Sequence, residues 1–383
     1  MTAENLAGDK NNYYNTQNGM DQKDKLKEIV AQFVGDERGV VINPLGKGHI
    51  NDSYKVMAGD KEYVLQRINH HIFKNVDQLQ DNIRRVTEHI RLKLEKEGAV
   101  DIDRRVLTLV PSKAGLLYYR DSAGDYWRMM DFIKESKSYD DINPELAYRA
   151  GKAFGDFQKM LADLPGEPLF ETIPNFHNME ARLKTFREAV RANKAGRLYK
   201  VEELVKEIEG RADEMCMAEK LHRKGKLPKR INHCDTKVNN ILFDKNDRVL
   251  CVVDLDTVMP GYVLLDFGDF IRTGANTGAE DDQSLENVSV DLAIFEAYAK
   301  GYLENAASFL TDVEIENLAF GAKLLTYMQM VRFFTDYIDG DLYYKIAYPE
   351  HNLVRTEAQF KLLQSLEDNF GKMRQIVKEA AEK

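Results

Sequence analysis

The sequence predicts an α+β chain with two lobes, a small β-rich one followed by a larger helical one. The stretch VVINPLGKGHINDSYKVMAGDKEYVLQRIN places apolar runs between turn signals, as a set of antiparallel strands does. After Ile133 the periodicity changes, and Tyr148, Gly151, Phe154, Phe157 and Leu161 step along one helical face. At 383 residues the chain has room for two folding units.

Residues 1–20, MTAENLAGDKNNYYNTQNGM, lack the basic and apolar regions of a signal peptide and read as a polar, flexible leader. A first helix fits Gln22 to Phe33, ended by Gly35. Strand, Gly loop, strand, turn and strand follow. The turn is Ala58-Gly59-Asp60, and Tyr63, Val64 and Leu65 open the strand after it. A long amphipathic helix fits Asp77 to Glu97, closed by Gly98. Strands are then expected at Arg105–Val110, Leu116–Tyr119 and Asp125–Ile133. Helices are expected around 180–195, 201–220, 288–305, 313–337 and from about 355 onward. The implied division is 21–132 for the N-terminal lobe and 133–383 for the C-terminal lobe.

Composition narrows the function. With 43% hydrophobic and 31% charged residues, the chain has the make-up of an ordinary globular protein. A net charge of −9 and a pI of about 5.6 argue against nucleic acid as a partner. No apolar run approaches the roughly 18 residues of a membrane helix, so no membrane partner is expected. Cys216, Cys234 and Cys251 show no metal spacing, which suits a reducing, cytoplasmic setting. One basic run, KLHRKGKLPKR (220–230), reads as a solvated loop or as a local attraction for an anion.

The chemistry concentrates in INHCDTKVNNILFDKNDRVLCVVDLDT. ILF and VLCVV form a hairpin around DKND. The polar loop with Asp235 and Asn240 precedes it, and Asp254 and Asp256 follow it, so both ends lie on one side. Carboxylates gathered there would repel one another without a cation. A short set of oxygen ligands suits Mg2+, whose shell is completed by water and phosphates. The spacing His233-x-Asp235-x-x-x-x-Asn240 is that of a kinase catalytic loop. Phosphoryl transfer needs such a set, a carboxylate for the acceptor hydroxyl and Asn and Asp for the metal.

The loop, hairpin and VVDLDT ending resemble the aminoglycoside phosphotransferase and choline kinase group, which has the bilobal protein-kinase-like fold. The resemblance runs over nearly all of the chain after residue 20. It implies that Asp235 is the catalytic base, that Asn240 and Asp254 hold Mg2+ with help from Asp256, and that ATP is the donor. Asp266-Phe267-Gly268 spells the kinase metal motif but does not end the hairpin strand. Asp266 is therefore read as a brace for the catalytic loop. The Gly loop PLGKGHINDSYKV supplies Gly46, Gly48 and Asn51 to cover the phosphates. A P-loop is excluded, since no G-x-x-x-x-G-K-[ST] exists.

The third strand departs from the kinase pattern. YVLQRIN has no Lys, and a one-residue slip decides whether Gln66 or Arg67 faces the phosphates. The reading leans to Arg67. Glu88 is one candidate for an acidic partner on the long helix. Backbone groups near Met130 and Phe132 are expected beside adenine.

For the acceptor, LLDFGDFIRTGAN carries Arg272, and MVRFFTDYIDGDLYYKIAYPEHNLVR carries Arg332 and Tyr343. With DTKVNN and DLDT these segments resemble the N-acetylhexosamine 1-kinases. The resemblance implies phosphorylation of N-acetylglucosamine or N-acetylgalactosamine at the C1 hydroxyl, with Arg332, Tyr343 and Arg272 on the sugar. Kinases of another small hydroxyl compound, of choline, ethanolamine, homoserine or aminoglycoside type, are the alternative, followed by a nucleotide-binding regulator without activity. The sequence carries no signature of an oligomeric state.

Overall fold

A computed structural model describes residues 23–35, 39–46 and 50–382. The expected leader at 1–20 lies outside the described residues. The chain divides into two compact units. One comprises the described residues up to Thr87 with Val100–Glu135, and the other Glu88–Ala99 with the residues from Ser136 onward.

The first unit opens with helix α1 over residues 23–34, stopped by Gly35 at φ +88°. Its sheet contains β1 (Val41–Pro44), β2 (Asp52–Ala58), β3 (Lys61–Ile68), β4 (Leu109–Val110), β5 (Tyr119–Arg120) and β6 (Tyr126–Asp131). All pairs are antiparallel, in the order β1-β2-β3-β6-β4, with β5 added to β6. Leu26, Ile29, Val30 and Phe33 of α1 cover Val56, Tyr63, Leu65, Trp127 and Met129 on one face of this sheet. Helix α2 (Val76–Lys96) begins here and ends in the second unit, before Gly98 at φ +68°. The strand expected at 105–110 is cut short, because the short helix α3 (Ile102–Arg105) takes its start and only Leu109 and Val110 pair.

The second unit is mostly helical, with α4 (Pro144–Leu161), α5 (Met179–Ala192), α6 (Glu202–Met215), α7 (Met217–Arg223), α8 (Val263–Gly274), α9 (Leu292–Ala306), α10 (Asp312–Glu316), α11 (Leu318–Asp339), α12 (His351–Asp368) and α13 (Phe370–Ala381). Asn143 caps α4 by accepting the Leu146 N–H, and Pro144 starts the helix where no N–H is needed. Three of the helices expected as single pieces are broken, at Cys216, Asn317 and Asn369. Between the helices lie two short ribbons, β7 (Arg230–Asn232) with β10 (Met259–Gly261) and β8 (Ile241–Phe243) with β9 (Val249–Val252).

Helix α11 is buried nearly all round, and α8 crosses it at backbone contact. A Cβ on Gly268 would stand 2.1 Å from the Gly321 carbonyl oxygen, and one on Gly321 only 1.8 Å from that of Leu264. Glycine is therefore required at both positions by space. This packing fixes α8, and α8 supplies the carboxylates that hold the loop described next.

Candidate active site

Loop 233–240 follows β7 and is held from beneath by α8. Asp266 is almost fully buried, and its Oδ2 and Oδ1 accept the His233 and Cys234 N–H groups at 2.7 and 2.8 Å. Gln158 donates to the same carboxylate at 2.9 Å, while the Thr236 hydroxyl donates to the Asp266 carbonyl at 2.6 Å. One turn on, Asp269 accepts the Thr236 N–H at 2.9 Å. The loop needs this support, since Cys234 sits at φ +64°, a region unfavourable for a residue with a side chain. Burial pushes the Asp266 carboxyl up to about 6, against the pull of these donors. The D-F-G triplet thus supplies a brace through its Asp and a helix contact through its Gly.

Asp235 projects from this loop with its side chain 30% exposed. Asn240 Nδ2 donates to the Asp235 carbonyl at 2.8 Å and to Oδ2 at 3.1 Å, and the Lys237 ammonium stands 2.9 Å from Oδ1. Burial opposes ionisation of Asp235, but Lys237 and the Asn240 amide hold its carboxyl below the usual carboxylate range. A carboxylate held ionised, open to solvent and set next to a cation can orient a hydroxyl and receive its proton.

With Nδ2 turned toward Asp235, the Asn240 carbonyl oxygen is left for another partner. The Val253 N–H donates to the Asn240 main-chain oxygen at 2.9 Å, and His233 Nε2 donates to the Val253 carbonyl at 2.9 Å. These bonds put Asp254 alongside Asn240. Asp254 is exposed, whereas Asp256 is 2% exposed and its carbonyl accepts the Thr172 hydroxyl at 2.9 Å. Among the described residues no group of three or more His, Cys, Asp or Glu is placed to hold a metal ion. The Asn240 carboxamide and the exposed Asp254, one residue beyond its backbone partner, would offer a sparse oxygen set of the kind that suits Mg2+ with water and phosphate as its other ligands.

Several of the expected residues already have partners within the protein. Arg272, expected at the sugar, is 7% exposed and is engaged by Asp269 at 3.1 Å and Glu280 at 2.6 Å. In the first unit Arg67 lies opposite Asp52, on the face of Leu65. Its Nε donates to Asp52 at 2.8 Å, and Asp125 is 3.6 Å away. Gln66 takes the opposite face, where its Oε1 accepts Arg128 Nε and Nη2 at 2.9 and 2.8 Å. The register therefore sets Gln66, not Arg67, beside the buried cation of the neighbouring strand. Met130 lies in β6 between β3 and β4, and the Phe132 N–H donates to the Glu62 carbonyl at 2.9 Å, so that N–H is already engaged within the sheet. Gly46 has φ +68°, and Asn51 Oδ1 accepts the Asn69 N–H at 2.9 Å. Gly48 lies outside the described residues. Glu88 is exposed on α2.

The basic run 220–230 is not a bare anion patch. Lys220, Arg223, Lys229 and Arg230 face Asp213, Glu180, Glu171 and Glu314, with Arg230 at 2.6 Å from the fully buried Glu314.

Arg332, on α11, does not pair with Asp336. That carboxylate accepts the N–H groups of Leu342 and Tyr343 at 2.8 Å and of Tyr344 at 3.0 Å, which anchors the segment carrying Tyr343. Tyr343 itself is 60% exposed. Arg332 donates to Gln329 at 2.9 Å and lies over the rings of Phe176 and Tyr344, at 5.1 and 5.6 Å. Arg182 donates to the Phe176 carbonyl at 2.8 Å through Nη2. Among the described residues neither guanidinium has a carboxylate partner. Burial, and next Arg332, lower Arg182 to about 10. Lys237, Arg182 and His177 had not been singled out from the sequence. For Lys237 a signal was present, in its place two residues after the presumed base.

A profile of the phosphotransferase enzyme family matches residues 41–306 of the 383. Solved structures share the fold. An aminoglycoside phosphotransferase from Alicyclobacillus acidocaldarius superposes with TM-score 0.56 at 11% identity, over 92% of this chain and 96% of that one. A choline kinase from Streptococcus pneumoniae gives 0.52 at 13%, over 91% and 99%. A spectinomycin phosphotransferase, solved with ADP and spectinomycin, gives 0.52 at 13%, over 94% and 98%. Identities this low speak to the fold alone, but the family profile spans most of the chain. The chain belongs to the phosphotransferase enzyme family.

Proposed function

We propose that the protein is an ATP-dependent kinase that phosphorylates an N-acetylhexosamine, N-acetylglucosamine or N-acetylgalactosamine, at the anomeric C1 hydroxyl by direct in-line transfer. In this reading Asp235 orients the C1 hydroxyl and takes its proton. That hydroxyl is more acidic than an ordinary alcohol, so an ionised carboxylate of low pKa suffices. Asn240 and Asp254 hold Mg2+, which neutralises charge on the ATP phosphates. Asp256, buried and bonded through its carbonyl, supports the turn that presents Asp254. Gly46, Gly48 and Asn51 of the N-terminal lobe at 21–132 are assigned to ATP, and catalysis and the acceptor to the lobe at 133–383. ADP in the spectinomycin phosphotransferase structure supports an adenine nucleotide as donor. Among the described residues no helix is long and apolar enough to cross a membrane, which accords with a cytoplasmic enzyme.

The observation that carries the acceptor assignment is the Arg182 and Arg332 pair, which has no carboxylate partner among the described residues. Choline, ethanolamine and aminoglycosides are cations, and two unneutralised guanidinium groups would repel them. An acetamido carbonyl and ring hydroxyls are what a guanidinium fork can bind. An amine-bearing acceptor remains the second reading, because solved proteins of this fold include a choline kinase. ADP release with Mg-ATP against N-acetylglucosamine, N-acetylgalactosamine, other hexoses, choline, homoserine and an aminoglycoside tests this. Turnover confined to amine-bearing compounds would sink the sugar assignment and keep the kinase.

A further inference from the structure

The segment between α4 and α5 brings Phe176 and His177 to the acceptor-side arginines. Arg182 fixes its backbone through Nε and Nη2 on the Phe176 carbonyl, at 3.2 and 2.8 Å. Arg332 lies over the Phe176 ring, and His177 stacks on that ring with centroids 4.4 Å apart and planes at 20°. This gives His177 a defined place although it belongs to no helix or strand.

The ring packs on Phe176, but its nitrogens serve no bond of the fold. Among the described residues His177 makes no hydrogen bond, and its Nδ1 is buried without a partner. Nε2 is not closed off in the same way, and the residue as a whole is half-buried. The ring feels the charges of Arg332, Arg182, Asp235 and Arg272. It also borders a cavity of about 240 Å3 whose lining includes Phe176 and Cys234 but none of Asp235, Arg182 or Arg332. Burial and then the two guanidinium groups lower His177 to about 3, so it is neutral in the physiological range.

We propose that His177 binds the acceptor, its neutral Nε2 exchanging a hydrogen bond with an acceptor hydroxyl, and that Arg182 is a positioning residue that acts through the Phe176 carbonyl. The ligand class is an uncharged polyhydroxy compound. A neutral imidazole has one donor and one acceptor nitrogen, which suits a hydroxyl, and it does not add a third positive charge to the site. The inference rests on the proposed reading of Asp235 as the base of a hydroxyl kinase.

The test compares wild type, His177→Ala, His177→Asn and Arg182→Lys on the same acceptor panel. KM for acceptor and for ATP are measured separately, with unfolding midpoints to show that each variant is folded. His177→Ala is expected to raise the acceptor KM about tenfold, the loss of one neutral hydrogen bond, and to leave the ATP KM within about twofold. His177→Asn should restore part of the loss. Arg182→Lys should move the acceptor KM in the same direction, and its effect should shrink in the His177→Ala background. An unchanged acceptor KM in folded His177→Ala overturns the inference, as does an equal rise in both KM values. Wild type that turns over no panel member overturns the kinase reading, and the His177 assignment with it.

Discussion

The Lys237 ammonium lies 2.9 Å from Asp235 Oδ1, inside the loop that also brings Asn240 onto the same carboxylate. Lys237 keeps Asp235 ionised, and Asp235 in turn holds Lys237 above its ordinary value against burial. Removing the lysine should therefore raise the pKa of the base. In Lys237→Met the acid limb of kcat/KM is expected to move to higher pH. The comparison with wild type under one set of ATP and Mg2+ concentrations cancels the titration of the nucleotide. An unmoved limb would separate Lys237 from the base.

Asp235→Asn keeps the size of the side chain and the Asn240 contact but cannot accept a proton. It should lower kcat about a hundredfold to ten-thousandfold, with acceptor KM little changed. Single-turnover measurements would confirm that the loss is in the chemical step.

Asp266 is bound by two backbone N–H groups and Gln158. Asp266→Asn places an amide where the carboxylate accepts, and should cost about 1–3 kcal/mol of stability at neutral pH. The pH dependence has a definite sign. The carboxyl titrates at about 6 in the folded protein against an ordinary 3.8, so the native state binds the extra proton between those values. Its contribution is complete below 3.8 and is lost as pH rises through about 6. The stability of wild type relative to Asp266→Asn should therefore fall over that interval, as read from urea unfolding at each pH.

Gly268→Ala forces a methyl against the Gly321 carbonyl, 2.1 Å from where the Cβ must go. A loss of about 1–3 kcal/mol is expected, larger if the helices cannot part. Because α8 carries Asp266 and Asp269, kcat should fall too. Denaturation curves and rates on the same sample test both.

Arg332→Lys retains the charge but loses the flat fork that stacks on Phe176 and Tyr344. The acceptor KM should rise about tenfold, with ATP KM constant. If lysine substitutes without loss, charge alone is what the site needs.

The loop that carries Asp235 and Asn240 was legible because its residues lie close in sequence. Asp235 and Asn240 lie within one loop, and the hairpin that follows is marked by its own turn. The succession of strands in the first unit and the extent of α2 were legible for a similar reason, since alternation and helical period repeat over many residues. Arg67 was not, because one step of register exchanges its face with that of Gln66. The ion pairs of Arg272 with Asp269 and Glu280 were not legible, because Glu280 reaches it only through the way the chain after α8 folds back. His177 and Arg182 gave no periodic signal. Their meaning comes from Arg332, which is distant in sequence and shares the Phe176 ring with His177.

Val253, between β9 and Asp254, ties that segment to loop 233–240, donating to Asn240 and accepting from His233. Asp235, Asn240 and Asp254 are thus carried by a single mechanical body rather than by independent loops. Amide exchange should register this as shared cooperativity. The N–H groups of Cys234, Thr236 and Val253 would open together, at a rate set by the release of α8 rather than by fraying of the loop itself.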